Sequence, residues 1–185
     1  MKELYEAIRA NDSAKIRALV EADPALEIFA ACLLGDTAQV EQLLTGNRSL
    51  VTLLSSDGWT PLHLAAHFGQ LDVVRLLLNK GASAKARSTN ALQNFPIHAA
   101  AAGQHAAVIQ LLLKHGSSPD ARQHGGWAPL HASAQTGDVA SARILVEAGA
   151  DVSVRADNQQ RPLDMALTKG HQAMVEFLEA HGAHL

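Results

Sequence analysis

Ten histidines and one cysteine stand among the 185 residues, and any chemistry in this chain would start with them. Imidazoles bind zinc and exchange protons near neutral pH. His63, His98 and His131 occupy equivalent places in three similar stretches, "PLHLAAHFG", "PIHAAAAGQ" and "PLHASAQTG". Similar helical segments packed side by side lie about 8–10 Å apart, whereas zinc ligands lie about 2 Å from a shared ion. The three histidines therefore do not converge on a metal. His181 and His184 form a weaker pair, with no further ligand beside them. Cys32 aligns with Ala66, a small inward position, so the expected state is a buried thiol rather than an activated nucleophile. There is no HExxH, no GxSxG and no phosphate-cradling glycine loop. The residues predict a protein that is not an enzyme and carries no cofactor and no metal.

Composition narrows the class further. Apolar residues make up 48% of the chain and aromatic residues only 4%. An ordered, alanine-rich chain of this kind favours close-packed helices over a sheet sandwich. The net charge of −3, without a long basic run, argues against a nucleic-acid partner. A single cysteine excludes an internal disulfide framework. The first residues, "MKELYEAIRANDSAK", lack a signal-peptide core, and no apolar run is long enough to cross a bilayer. The expectation is a cytoplasmic protein without a membrane partner.

The elements that hold the histidines repeat. Pro61, Pro96, Pro129 and Pro162 are spaced by 35, 33 and 33 residues, and Gly81, Gly116, Gly149 and Gly182 each follow their proline by 20. Proline suits the first turn of a helix. A glycine at Gly69, Gly137 or Gly170 then breaks the chain. A second stretch of helical periodicity follows, as in "LDVVRLLLNK", and a glycine closes it. Polar connections such as "SSDGW" read as turns.

Thr60-Pro61-Leu62-His63, the Ala65-Ala66 pair, Gly69, the run Leu76–Leu78 and Gly81-Ala82, repeating at about 33 residues, resemble the ankyrin-repeat family. The resemblance implies an all-α solenoid of stacked helix pairs with projecting β-hairpin turns. It covers nearly the whole chain as one domain of about six pairs. These are an N-terminal cap at 1–24, a degenerate repeat at 25–56, repeats at 57–87, 88–122 and 123–155, and a C-terminal capping repeat at 156–185. The cap has a period of only 24 and lacks a hairpin. Gln104 stands where a glycine is expected, with Gly103 one place early, and the connection 82–95 is two residues longer than its successors. Its tip should protrude or deform. Thr60 is the one capping threonine; Phe95, Ala128 and Arg161 replace it elsewhere.

By the same resemblance His63, His98 and His131 are structural, and the function is protein–protein interaction through hairpin tips and the concave ends of the first helices. At the tips this selects Trp59, Asn94, Trp127 and Gln160. At the helix ends it selects Leu33, Leu34, His67, Phe68, Gln135 and Thr136. Tryptophan is enriched at binding hot spots, although each Trp could instead pack on its own hairpin. Leu34 and Phe68 are expected to neighbour one another on adjacent units, exposed or covered by the connection "NRSLVTLLSSDG". Arg87, Arg122 and Arg155 each follow their unit's glycine by six residues and predict a ladder along the hairpins that an acidic partner could read. The partner is an unidentified protein. Self-association is the alternative, followed by binding of a metal or small ligand, and a monomer is favoured over a homo-oligomer.

Overall fold

The computed structural model describes residues 1–183, so His184, and with it the His181–His184 pair, lies outside the described residues. Twelve α-helices form six antiparallel pairs, and no strand occurs among the described residues. The pairs are α1 (Lys2–Arg9) with α2 (Ser13–Ala22), and α3 (Leu26–Leu34) with α4 (Thr37–Gly46). Next come α5 (Pro61–His67) with α6 (Leu71–Asn79), and α7 (Pro96–Ala102) with α8 (Ala106–Lys114). The last are α9 (Pro129–Thr136) with α10 (Val139–Glu147), and α11 (Pro162–Lys169) with α12 (Gln172–Ala180). The odd-numbered helices pack in a row from α3 to α11, and the even-numbered helices from α4 to α12 form a second row behind them. The pairs are called units 1 to 6 below.

Alanine makes this close stacking possible. Ala65, Ala66, Ala99, Ala100, Ala101 and Ala134 are buried between first helices, while Val73, Leu77, Ile109, Leu112 and Leu145 fill the space against the second row. Cys32 is buried in the same alanine layer, and burial pushes its thiol up to about 12. It is a small apolar side chain here, not a nucleophile.

Each first helix of units 2, 3, 5 and 6 ends on a left-handed glycine: Gly35, Gly69, Gly137 and Gly170, with φ between +72° and +76°. In unit 4 the register holds although the glycine is displaced. Gln104 itself adopts φ +63°. Gly103 stays in the right-handed region and meets a different need, because a Cβ there would collide with the His67 carbonyl and the His105 ring.

The projecting turns are tight loops rather than ladders. One backbone bond closes each: Ser55 N to Trp59 O (2.8 Å), Ser88 N to Asn94 O (2.9 Å), Gln123 N to Trp127 O (3.1 Å) and Ala156 N to Gln160 O (2.9 Å). The two extra residues of unit 4 sit inside its loop and swell the tip, as its length predicts. Neighbouring tips are tied together by Thr89 N to Gly58 O, His124 N to Leu92 O and Asp157 N to Gly125 O, each 2.9 Å. Units 1 and 2 have no tip between them. Tyr5 of α1 occupies that side instead, stacking on Phe68 at 6.0 Å with the Asp57 carboxylate nearby. Burial and the Asp57 carboxylate hold the Tyr5 phenol above its ordinary range.

Candidate functional site

The repeated histidines assemble the concave side. The Nδ1 atoms of His63, His98 and His131 accept from the backbone N–H groups of Thr60 (3.4 Å), Phe95 (3.4 Å) and Ala128 (3.1 Å). That fixes the tautomer, with the proton on Nε2. Each Nε2 then donates across to the next unit: His63 to Asn94 O (3.1 Å), His98 to Trp127 O (3.0 Å) and His131 to Gln160 O (3.0 Å). One ring thus caps its own helix and holds the next tip. Thr60 Oγ1 adds a contact to His63 Nδ1 at 2.8 Å. Phe95 and Ala128 have no hydroxyl to add one. In unit 6, Asp164 keeps the capping half by accepting from Arg161 N (2.8 Å) and lacks the donor half. Hydrogen bonds from the Arg161 side chain hold its carboxyl below the usual range. Burial pushes His63 and His98 down to about 4 and lowers His131, so all three are neutral at physiological pH.

A second set of bonds runs at the start of the rear helices. Gln70 Nε2 donates to Leu33 O (2.9 Å), His105 Nε2 to His67 O (3.0 Å) and His171 Nε2 to Gln135 O (3.0 Å). His67 Nδ1 donates to Ala99 O (3.2 Å).

On this scaffold the tips and first helices enclose a groove of about 550 Å³. Trp59 and Trp127 stand in its walls, and Ala99, Ala102, Ala128 and Ala132 give it a shallow floor. His67, Asn94 and Gln135 also line it, so five of the selected residues meet here. Each Trp is half-buried against a histidine of its own unit: Trp59 edge-on to His67 at 5.3 Å, Trp127 edge-on to His131 at 5.1 Å. Packing on the unit and lining the groove are thus the same arrangement. A smaller recess of about 270 Å³ adjoins it on the far side of Trp59, lined by Tyr5, Arg9, Asp57, His67, Phe68 and Asn90.

The other selected residues lie apart. Leu33 is 3% exposed and belongs to the core, because α1 and α2 both pack on α3; it presents no surface to a partner. Leu34 is exposed at 51%, but it borders a recess with Ile16 and Val20 of α2, whereas Phe68 lies under Tyr5. The cap pair flanks both side chains, Asp57 of the 47–58 connection joins it beside Phe68, and the two side chains line different recesses. Thr136 bonds back to the Ala132 and Ser133 carbonyls. Gln160 is half-buried and its carbonyl receives His131. The arginines do form a ladder. Arg87 Nη2 donates to Arg122 O (3.2 Å), Arg122 Nη1 to Arg155 O (2.8 Å) and Arg155 Nη1 to Gln159 O (3.1 Å), while Arg87 lies 5.0 Å over the Phe95 ring. The Arg87 and Arg122 donors join one tip to the next, and Arg155 closes its own tip.

Sequence reasoning missed Tyr5, Leu92 and His124. Tyr5 acts two units along from its own position, and no repeat marker links it to Phe68. Leu92 reaches the groove on the swollen tip of unit 4, and His124, whose N–H bonds to the Leu92 carbonyl, reaches it from the next tip. The extra length of the unit 4 tip was the available signal. Among the described residues no three His, Cys, Asp or Glu side chains gather to hold a metal, and no helix is long and apolar enough to cross a membrane.

Comparison with known proteins agrees with this architecture. The family model described as ankyrin repeats (3 copies) matches residues 4–88, 28–123 and 97–185. The mouse (Mus musculus) 2-5A-dependent ribonuclease is 38% identical over 81 residues, which is 44% of this chain and 11% of that protein. The ankyrin repeat, SAM and basic leucine zipper domain-containing protein 1 of Echinops telfairi is 41% identical over 71 residues, covering 38% and 15%. The putative ankyrin repeat protein FPV240 of fowlpox virus (strain NVSL) is 36% identical over 64 residues, covering 35% and 16%. The matches thus span 11% to 16% of these relatives' lengths. Repeated proline-opened helix pairs, the histidine links between them and matches over almost the whole length together place this chain in the ankyrin-repeat family.

Proposed function

We propose that this protein is a non-enzymatic interaction module that binds a protein partner in the concave groove between Trp59 and Trp127. Ankyrin repeats are in general protein-interaction modules. The observation that carries the finer reading is the groove itself: two tryptophans, an alanine floor and neutral imidazoles in one concave surface of about 550 Å³. Aromatic side chains held rigid by their neighbours supply contact area at little entropic cost. Each arginine of the ladder directs a guanidinium nitrogen to a backbone carbonyl, which supports a scaffold role ahead of an acid-reading one. The chain acts alone, as a monomer in the cytoplasm, and presents a preformed surface.

Affinity capture from an extract of the source cell tests this. Wild type is run beside the double variant Trp59→Ala, Trp127→Ala, first shown by circular dichroism to keep its helices. The expected result is a protein retained by wild type and lost by the variant. Equal retention by both removes the groove from the interface. Wild type running as a dimer that the variant cannot form makes self-association the function.

A further inference from the structure

The rear row of helices is open at its N-terminal end. The even-numbered helices from α4 to α12 pack in sequence, whereas α2 packs on α1 and α3 and not closely on α4. No residue of α2 is fully buried. The space between α2, α3 and the start of α4 is a recess of about 300 Å³. From α3 it receives Glu27, Ala30, Ala31 and Leu34, the i, i+3, i+4 and i+7 positions of one helix face. From α2 it receives Ser13, Ile16, Arg17 and Val20, in the same spacing. Each face therefore runs for about 10 Å, two helical turns. Ala30 and Ala31 are buried and make a shallow floor, Ile16 and Val20 are half-buried, and Leu34 is 51% exposed.

The rim is charged. Glu21, Glu27 and Asp36 stand against Arg17 alone, and none of the four joins an ion pair among the described residues. Only residues 23–25 separate α2 from α3, so Glu21 and Glu27 mark one end of the recess. Asp36, just past the end of α3, marks the other. Two of these carboxylates are held in place by Gln39: Glu27 accepts from its Nε2 (2.8 Å) and Asp36 from its N–H (3.0 Å). A groove lined by two helix faces suits a third helix that lays down its own apolar residues at i, i+3, i+4 and i+7. The excess of carboxylates selects basic flanks on that helix and opposes an anionic membrane surface. The chain's own net charge of −3 makes a second copy the poorer match.

We infer that this recess docks a basic amphipathic helix of a protein partner. About two turns of its apolar face lie against Ile16, Val20 and Leu34, and its Lys or Arg side chains face Glu21, Glu27 and Asp36. The recess shares no lining residue with the concave groove, so the inference stands apart from the function proposed above.

Four synthetic helical peptides, titrated into the full chain, test it. Three share one apolar stripe and carry Lys, Gln or Glu on the flanks. The fourth is the Lys peptide shuffled so that the stripe is scattered. Anisotropy of the labelled peptide reads affinity, and a ¹H–¹⁵N spectrum of the chain reads location. The Lys peptide is expected to bind tightest and to move the backbone signals of α2 and α3. Glu21→Lys and Leu34→Gln alter exposed side chains and, once circular dichroism shows their helices kept, are each expected to weaken it about fivefold. Equal binding of the shuffled peptide shows charge attraction without a groove and overturns the inference, as does tightest binding of the Gln or Glu peptide. Unchanged affinity in either variant, shifts confined to the concave groove, or silence from all four peptides overturns it as well. Shifts of α2 and α3 that grow on concentrating the chain without peptide identify a second copy as the occupant and overturn it.

Discussion

His98 joins two units with one ring, because Nδ1 accepts from Phe95 N and Nε2 donates to Trp127 O. Only the neutral tautomer can do both. A second proton would sit on Nδ1, facing an N–H. Burial accordingly pushes His98 and His63 down to about 4 and lowers His131, while the same residues in an unfolded chain titrate near 6.5. From about pH 6.5 down to about pH 4 the unfolded chain takes up protons that the folded chain refuses, so stability is full above that window and falls as pH drops through it. The summed loss is on the order of several kcal/mol. Urea unfolding at about pH 7 and about pH 4.5 checks this: the midpoint should drop markedly, and an unchanged midpoint would show that the three rings are not held neutral.

At the scale of the helix pair, two departures from the repeat leave energy to be gained. Gln104 adopts a left-handed conformation where the other units use glycine. Gln104→Gly should raise stability by about 0.5–1 kcal/mol, read as a higher urea midpoint. Asp138 stands where Gln70, His105 and His171 donate to the preceding unit. Its Oδ1 caps Ser141 N at 3.2 Å, but its Oδ2 is buried without a partner, and the equivalent carbonyl is that of Ala102. Asp138→Asn keeps the cap and supplies a donor, so it should add about 1 kcal/mol by the same measurement. Neither defect hides the fold from the sequence. Proline and glycine report backbone geometry directly, which is why the six pairs and their register can be read from spacing alone. Gln104 shows the limit: the conformation is conserved along the stack while the residue type is not.

At the scale of the molecule, the concave surface emerges from stacking, and stacking is what a linear pattern describes least well. Trp59, His67, Trp127 and Gln135 each hold a fixed place in their repeats and line one groove, with Asn94 in its wall but only 4% exposed. Leu33 was not legible as core, because its burial depends on how a cap pair without a tip packs on α3. Tyr5 and Leu92 were invisible for the same reason: one reaches out of the cap and the other rides on a swollen loop. The arginines were placed correctly as a ladder, but spacing could not say that their donors would meet backbone carbonyls of the next tip.

The most direct measurement places a photo-crosslinking residue in the groove floor at Ala102, which is exposed, and on the rear helix α8 at Gln110, also exposed. Both substitutions leave the core untouched, so folding does not confound the comparison. Irradiation in an extract of the source cell should yield a discrete crosslinked protein from position 102 and none from position 110. Crosslinking from 110 alone, or equally from both, would contradict a partner held in the concave groove.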